Sequence, residues 1–324
     1  MKKKLIPLIA VILIFMSCGN AGNDKGKDST TVSKQDSIVV SKEDTTTSNN
    51  PDTVEASVVN EPGKEVMLQF NLEKGRSYGY DINMEIAQEI QERKLNSGMN
   101  WKYNLRVMED NKQEKLIRVT YDRIAISMDM GGQKMEFNSD AAPADPSNPL
   151  NIVTNLLSAM KGKSFTMTVN AKGEIGKVDG FDQLGEDLVS GMKLPAESKE
   201  KMLQSFRSKF NANDVKETFS QTFSMLPGKK VKAGDSWEKE SDTKLGPNKG
   251  KLVTVYTVQS VNAGLVKLIG KGKLLPGNGT TAGTQNSRMT IDAATGLVLQ
   301  NVFDIRTEGP NKITSHGRIT GKKL

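Results

Sequence analysis

From about residue 64 onward, apolar and polar residues alternate with a period of two. Val66, Leu68, Phe70 and Leu72 interleave with Met67, Gln69 and Asn71. Tyr78, Tyr80, Ile82, Met84 and Ile86 interleave with Gly79, Asp81, Asn83 and Glu85, and Trp101, Tyr103, Leu105 and Val107 repeat the pattern. Successive strand side chains point to opposite faces, so this spacing predicts antiparallel strands with one apolar and one wet face. The next strand changes parity: Ile117, Val119 and Tyr121 are odd-numbered, while Ile124, Ile126 and Met128 are even-numbered. One inserted residue near Asp122-Arg123 keeps both halves on one core face, which predicts a β-bulge and a bent strand.

Helical spacing occurs twice. Pro149 opens a helix over about 149–161, with Leu150, Val153, Leu156, Leu157 and Met160 on one face and Gly162 as the stop. A second helical region spans about 181–224, with Leu184, Leu188 and Met192, then Leu203, Phe206 and Phe210 after Pro195, and a restart at Asp214. Val231 to Thr320 returns to strands. The expected fold is α+β and β-dominated, a curved antiparallel sheet or open half-barrel packed on a few helices.

Short patterns recur. Gly75-Arg76-Ser77-Tyr78, Gly162-Lys163-Ser164-Phe165 and Gly234-Asp235-Ser236-Trp237 each open an expected strand. Val169-Asn170-Ala171-Lys172-Gly173 is echoed by Ile291-Asp292-Ala293-Ala294-Thr295-Gly296, both read as hairpin turns with glycine at positive φ. A duplicated β-unit and the ordinary recurrence of turn chemistry both account for these echoes.

The N-terminus changes the picture from fold to address. Lys2, Lys3 and Lys4 precede the apolar run Leu5 to Met16, then Ser17 and Cys18, the chain's one cysteine. A basic n-region, a short apolar h-region and a small residue before the cut make a secretory signal, and the apolar run is too short to span a bilayer. Ser17-Cys18-Gly19 resembles the bacterial lipobox, with Phe15 and Met16 fitting its looser Bacteroidota form. That resemblance implies cleavage after residue 17, a diacylglycerol on the Cys18 thiol and a fatty-acyl (palmitate-type) chain on the new N-terminus. Two or more chains hold a protein stably on a membrane. Acylation also consumes the only thiol, leaving none for a disulfide or a nucleophile.

Residues 18–63 are mainly Ser, Thr, Asp, Lys, Asn and Gly, too polar to offset their ordering entropy, and read as a disordered tether. Such a tether has an r.m.s. span of about 35–40 Å. Residues 64–324 form the folded domain. Losing the signal's three lysines lowers the formal net charge from +7 to +4. Basic residues are scattered among acids, so no nucleic-acid partner is expected.

The sequence gives little catalytic chemistry. His316 is the only histidine, without the partners zinc requires. There is no Gly-x-Ser-x-Gly elbow, and Leu157 stands where a phosphate loop needs glycine. Carboxylate pairs such as Glu85 with Glu89, or Asp179 with Asp182, are of a kind any charged surface supplies. No cofactor or metal is expected. Thirteen methionines follow Cys18; they suit an adaptable apolar cavity as well as ordinary core filling. The expected cavity wall is Leu156, Leu157, Met160, Leu203, Phe206 and Phe210 against the strands.

With Cys18, the polar tether, Lys74-Gly75-Arg76-Ser77-Tyr78, Val231-Lys232-Ala233-Gly234-Asp235-Ser236-Trp237 and Thr295-Gly296-Leu297, the chain resembles a family of Bacteroidota lipoproteins carrying no assigned activity, over roughly residues 64–310. Strands around a few helices on an exported protein also resemble the open half-barrels of lipoprotein carriers and lipid-binding envelope proteins, as fold analogy alone. The expected function is a non-enzymatic, lipid-anchored envelope protein, on the periplasmic side of the outer membrane or at the cell surface, binding an apolar ligand or another envelope component. The alternatives are a carboxylate-based envelope hydrolase and a purely structural or assembly lipoprotein.

Overall fold

The alternation becomes strand wherever β-branched and aromatic residues fill every second position. In a computed structural model, residues 63–90, 93–142, 149–192, 195–209, 211–245, 248–276, 283–307 and 311–324 are described. The signal, Cys18 and nearly all of the tether lie outside the described residues. Strands in the first half are β1 (Val66–Leu68), β2 (Ser77–Ile90), β3 (Arg93–Asp110), β4 (Glu114–Met130), β5 (Gln133–Asn138), β6 (Ser164–Asn170) and β7 (Ile175–Asp179). The second half has β8 (Lys229–Val231), β9 (Ser236–Leu245), β10 (Asn248–Asn262), β11 (Leu265–Pro276), β12 (Gly283–Asp292), β13 (Val298–Thr307) and β14 (Asn311–Lys323). Between them stand α1 (Pro149–Met160), α2 (Phe181–Ser190), α3 (Ala196–Lys209) and α4 (Ala212–Phe223).

Twelve strands make one antiparallel sheet in the order β7-β6-β4-β3-β2-β14-β13-β12-β11-β10-β9, with β5 beside the second half of β4; β1 pairs separately with β8. The sheet does not close. Its outer strands β7 and β9 do not pair, and α4 packs against both. An open curved sheet thus carries its helices on one face, as the alternation predicts for an α+β chain.

The expected bulge is present. Lys102 pairs with Arg123 and Tyr103 with Tyr121, leaving Asp122 as the extra residue. Ile117, Val119, Ile124, Ile126 and Met128 are buried together across the parity change. The helical region over 181–224 is three helices. Pro195 precedes α3, and α4 starts at Ala212 because Asn211 caps it, its Oδ1 accepting the Asn213 N–H at 2.9 Å. The expected first strand ends at Leu68. Beyond it, the Phe70 N–H donates to Ala171 O and the Asn71 N–H to Thr295 O, so this segment bonds to two turns instead of a strand.

Those turns belong to a repeat. The meanders β2-β3-β4-β6-β7 and β9-β10-β11-β12-β13 occupy the two sides of β14 in the same order. In the first, Gly75 N–H donates to Val107 O and Val107 N–H to Arg76 O; in the second, Gly234 N–H donates to Val258 O and Val258 N–H to Asp235 O. A register shift follows each clamped valine, at Val107/Glu109 and Val258/Ser260. Five residues beyond each valine stand Lys112 and Ala263, the only non-glycine residues at positive φ among the described residues. Each meander's last hairpin carries one of the echoed turns, with Asn170 Oδ1 accepting from Lys172 N and Asp292 Oδ1 from Ala294 N. The duplicated β-unit is therefore structural. β5, α1 and the Gly162-Lys163-Ser164 opening of β6 are inserted in the first copy only.

Candidate functional site

The side chains on the helix-bearing face form the core at one end of the strands and a cavity further along. Tyr80 and Tyr103 stack at 5.4 Å, and Phe219 and Phe223 of α4 meet them edge-on at 5.2–5.9 Å. Phe165 stands edge-on to Phe181 at 5.5 Å. Aromatic pairs of this kind add about 0.5–1.5 kcal/mol each beyond their burial, so this end is rigid. Trp237 on β9 stacks on Tyr256 and donates its indole N–H to Met225 O at 2.8 Å, tying the β9 edge to the chain just after α4.

Beyond that cluster the same face lines a cavity of about 180 Å³ between α4 and the curved sheet. Ile82, Trp101, Tyr103, Val215 and Phe219 form its apolar side, and Lys239, Ser241, Thr254, Gln285 and Asn301 face it from β9 to β13. Engineered cavities of about 150 Å³ lined by apolar side chains take up benzene, so this space, which is not fully enclosed, holds a ring-sized body or part of a longer chain. Glycines on the inner face let neighbouring wall side chains lie close on the sheet. Gly317 lies under the Phe303 ring, where an added Cβ would stand 2.1 Å from Cζ. At Gly272 an added Cβ would meet Leu252 Cδ1 at 2.8 Å and Thr254 Oγ1 at 2.9 Å.

Four polar groups on the wall lack partners. Trp101 Nε1, Gln285 Oε1 and Asn301 Oδ1 are buried without a hydrogen bond, and Lys239 makes no hydrogen bond or ion pair among the described residues. Burial lowers the Lys239 pKa below its ordinary value; nearby Glu174 opposes the shift and Lys172 adds to it. An unsatisfied buried polar group costs about 1–3 kcal/mol, which is why native interiors hold few.

Of the wall expected from sequence, Met160 lines this cavity. Leu156 and Leu157 are buried in the core around it. Phe206 is buried between α3 and α2, stacked on Phe181 at 5.8 Å and pressed against Gly185. Leu203 is half-buried on α3, and Phe210 lies outside the described residues. The sheet residues were missed, although parity could have found Lys239 and Ser241. They follow Trp237 at intervals of two and must share its inward face.

The groups weighed for catalysis stand elsewhere. His316 Nδ1 lies 2.9 Å from Asp304 Oδ1 on exposed strand positions. Glu85 and Glu89 are exposed on β2, and Asp179 pairs with Lys177. Glu73, Asp110 and Asp140 have lowered pKa values, each chiefly through a hydrogen bond from a lysine. Glu240 at the cavity rim is exposed and paired with Lys251 at 2.5 Å. Among the described residues, no group of three or more His, Cys, Asp or Glu is placed to hold a metal ion, and no helix is long and apolar enough to cross a membrane.

Residues 112–298 match the model of DUF6263, a family of unknown function, and the chain belongs to that family. The match runs from the β3–β4 turn to the first residue of β13 and takes in all four helices and the Lys239 side of the cavity. No curated protein matches the chain. Among solved structures, a crystal structure of a DUF1329 family protein from Desulfovibrio piger ATCC 29098 is similar at 7% identity, over 76% of this chain and 85% of that one. Its TM-score of 0.15 is too low to carry an argument.

Proposed function

We propose that this DUF6263 member is a non-enzymatic, lipid-anchored protein of the bacterial cell envelope that holds an apolar ligand in the cavity between α4 and the curved sheet. One observation carries the ligand. The chain builds a dense aromatic core at one end of the sheet, yet leaves about 180 Å³ along the same face, bounded by Trp101, Phe219 and Phe303. Protein interiors ordinarily close such space, since each unfilled volume forfeits contacts on its lining. A preformed, mostly apolar concavity with a few polar groups is the usual form of a small-molecule site. The anchor rests on the lipobox-like Ser17-Cys18-Gly19 and the polar tether behind it, with the outer membrane as the expected destination.

Native mass spectrometry after gentle purification from the producing cells tests the ligand. A co-purifying amphiphile released by unfolding is the expected result, and a chain at its bare mass with a dry interior would sink the proposal. The anchor is tested by Cys18→Ser, which should lose membrane association; retention in the membrane fraction would refute it.

A further inference from the structure

The cavity wall is not uniformly apolar, and its polar groups are arranged by the sheet register. Lys239 pairs with Thr254, Thr254 with Gly272 and Gly272 with Gln285, so these four positions form one rung across β9, β10, β11 and β12. The glycine in the rung leaves the space above it to its neighbours. The next row on this face runs Trp237, Tyr256, Gly270, Ser287, Phe303 and Gly317, and the row after it Met289, Asn301, Ile319, Ile82 and Trp101. Asn301 is 5% exposed, and its Oδ1, like Gln285 Oε1 and Trp101 Nε1, is buried without a partner.

The wall carries one cation, Lys239, and one acid, Glu240, among the described residues. The acid whose field reaches it, Glu174, already accepts from Asn170 Nδ2 at 2.8 Å, and the rim acid Glu240 is taken by Lys251. A wholly hydrocarbon occupant would leave three buried polar atoms and one ammonium unsatisfied. A cationic occupant would add like charge beside Lys239.

We propose that the occupant is an amphiphile with a single anionic head group, carboxylate or phosphate, seated against Lys239 and Gln285, its apolar part running along the sheet past Asn301 onto Trp101 and Phe219. This rests on the ligand-binding reading above and gives it a chemical class. A side-chain amide presents an N–H₂ as readily as an oxygen, so Gln285 can donate to an anion.

The test is calorimetric titration of the full chain, carrying Cys18→Ser so that it is recovered without detergent and stripped of co-purified lipid. The probes are decanoate, decyl phosphate, decanol and decyltrimethylammonium, each below its critical micelle concentration. At least one anion should bind about ten-fold tighter than decanol, the order of one charge-assisted hydrogen bond in a partly buried site, with the ammonium weakest. Which anion binds tighter identifies the head group. Lys239→Met should bring the anion to within about three-fold of decanol, the loss of most of one such bond, while leaving decanol unchanged. Lys239→Gln serves if the methionine variant does not fold. Decanol binding as tightly as both anions, or an anion preference that survives both Lys239 variants, overturns the head-group assignment and leaves apolar binding standing. No binding of any probe overturns the ligand reading itself.

Discussion

The indole N–H of Trp237 donates to the carbonyl of Met225 at 2.8 Å, so the outermost strand of an open sheet is fastened to the end of the helix that fills its gap. Sheet edges with unpaired backbone groups are liabilities, and here α4 packs on both outer strands, β7 and β9. Trp237→Phe keeps the stacking on Tyr256 but strips the donor from a part-buried carbonyl. The expected cost is about 1 kcal/mol, read as a lower urea midpoint with an unchanged slope. An unaltered midpoint would show that the contact contributes nothing.

Gly296 sits at φ 70, with an added Cβ 2.2 Å from Gln69 O and 2.9 Å from Gln69 C. Both are backbone atoms of the segment held by the Asn71–Thr295 bond, so no side chain can move aside. Gly296→Ala should cost more than about 4 kcal/mol, a magnitude confined to such steric failures. Gly132, at φ 89 with nothing within 4 Å, is the comparison: Gly132→Ala should cost only the left-handed strain of about 1–2 kcal/mol. Equal melting shifts in the two variants would refute the close-approach account.

The strands, the Asp122 bulge and the helix positions were legible because each is written in a local period. The repeat was half legible. Its glycines and aromatics are visible in sequence, but the equivalence of Lys112 with Ala263 is a backbone property that neither residue type announces. The cavity wall was illegible for a topological reason. Its two sides meet only because β14 pairs with β2, bringing His316 opposite Glu85 and Ile319 opposite Ile82, and no period reports pairing across such a separation. Ser236-Trp237-Glu238-Lys239-Glu240-Ser241 also reads as polar on both faces, which hid an inward lysine.

Four buried tyrosines have raised pKa values. Burial raises the phenols of Tyr80, Tyr103 and Tyr121 well above their ordinary value and pushes Tyr256 up to about 12. Each is held neutral by the fold, so its contribution to stability is complete below the unfolded value of 10.0 and is lost as pH rises through the folded value. Phenolate absorbance should therefore rise late and cooperatively, together with loss of far-ultraviolet circular dichroism. Gradual ionisation of these four near pH 10 with the fold intact would contradict the burial of these groups.

Asp110 organises the β3–β4 turn from the acid side. It accepts from the N–H of Lys112, a residue at φ 72, and pairs with the buried Lys115 ammonium. The Lys115 hydrogen bond, then that of Lys112, lowers the carboxyl's pKa. A depressed carboxyl stabilises above its unfolded value, and that contribution disappears as pH falls through the folded value. Asp110→Asn should be less stable than the parent at neutral pH and should converge with it in acid, read from urea midpoints across a pH series. A constant difference at every pH would place the effect in the turn's shape and not in its charge.

Asn301 separates stability from head-group recognition. Its side chain is almost fully buried with Oδ1 unsatisfied, between Met289 and Ile319 on a row that is otherwise mainly apolar. In the unliganded protein that amide is a net cost, so Asn301→Leu, branched at the same carbon and larger but facing open cavity, should stabilise the unliganded fold by about 1–3 kcal/mol, the penalty for one unsatisfied buried polar group. Asn301 stands two rows along the strands from Gln285, beside the occupant's chain, so the same change should leave the preference for decanoate or decyl phosphate over decanol intact. Polar groups retained at a stability cost are those expected at a functional site. Thermal melts of the stripped protein, beside the four-probe titration, separate the two effects. A less stable variant would make Asn301 an ordinary structural residue, and a lost anion preference would place the head group beside Asn301 and not beside Lys239.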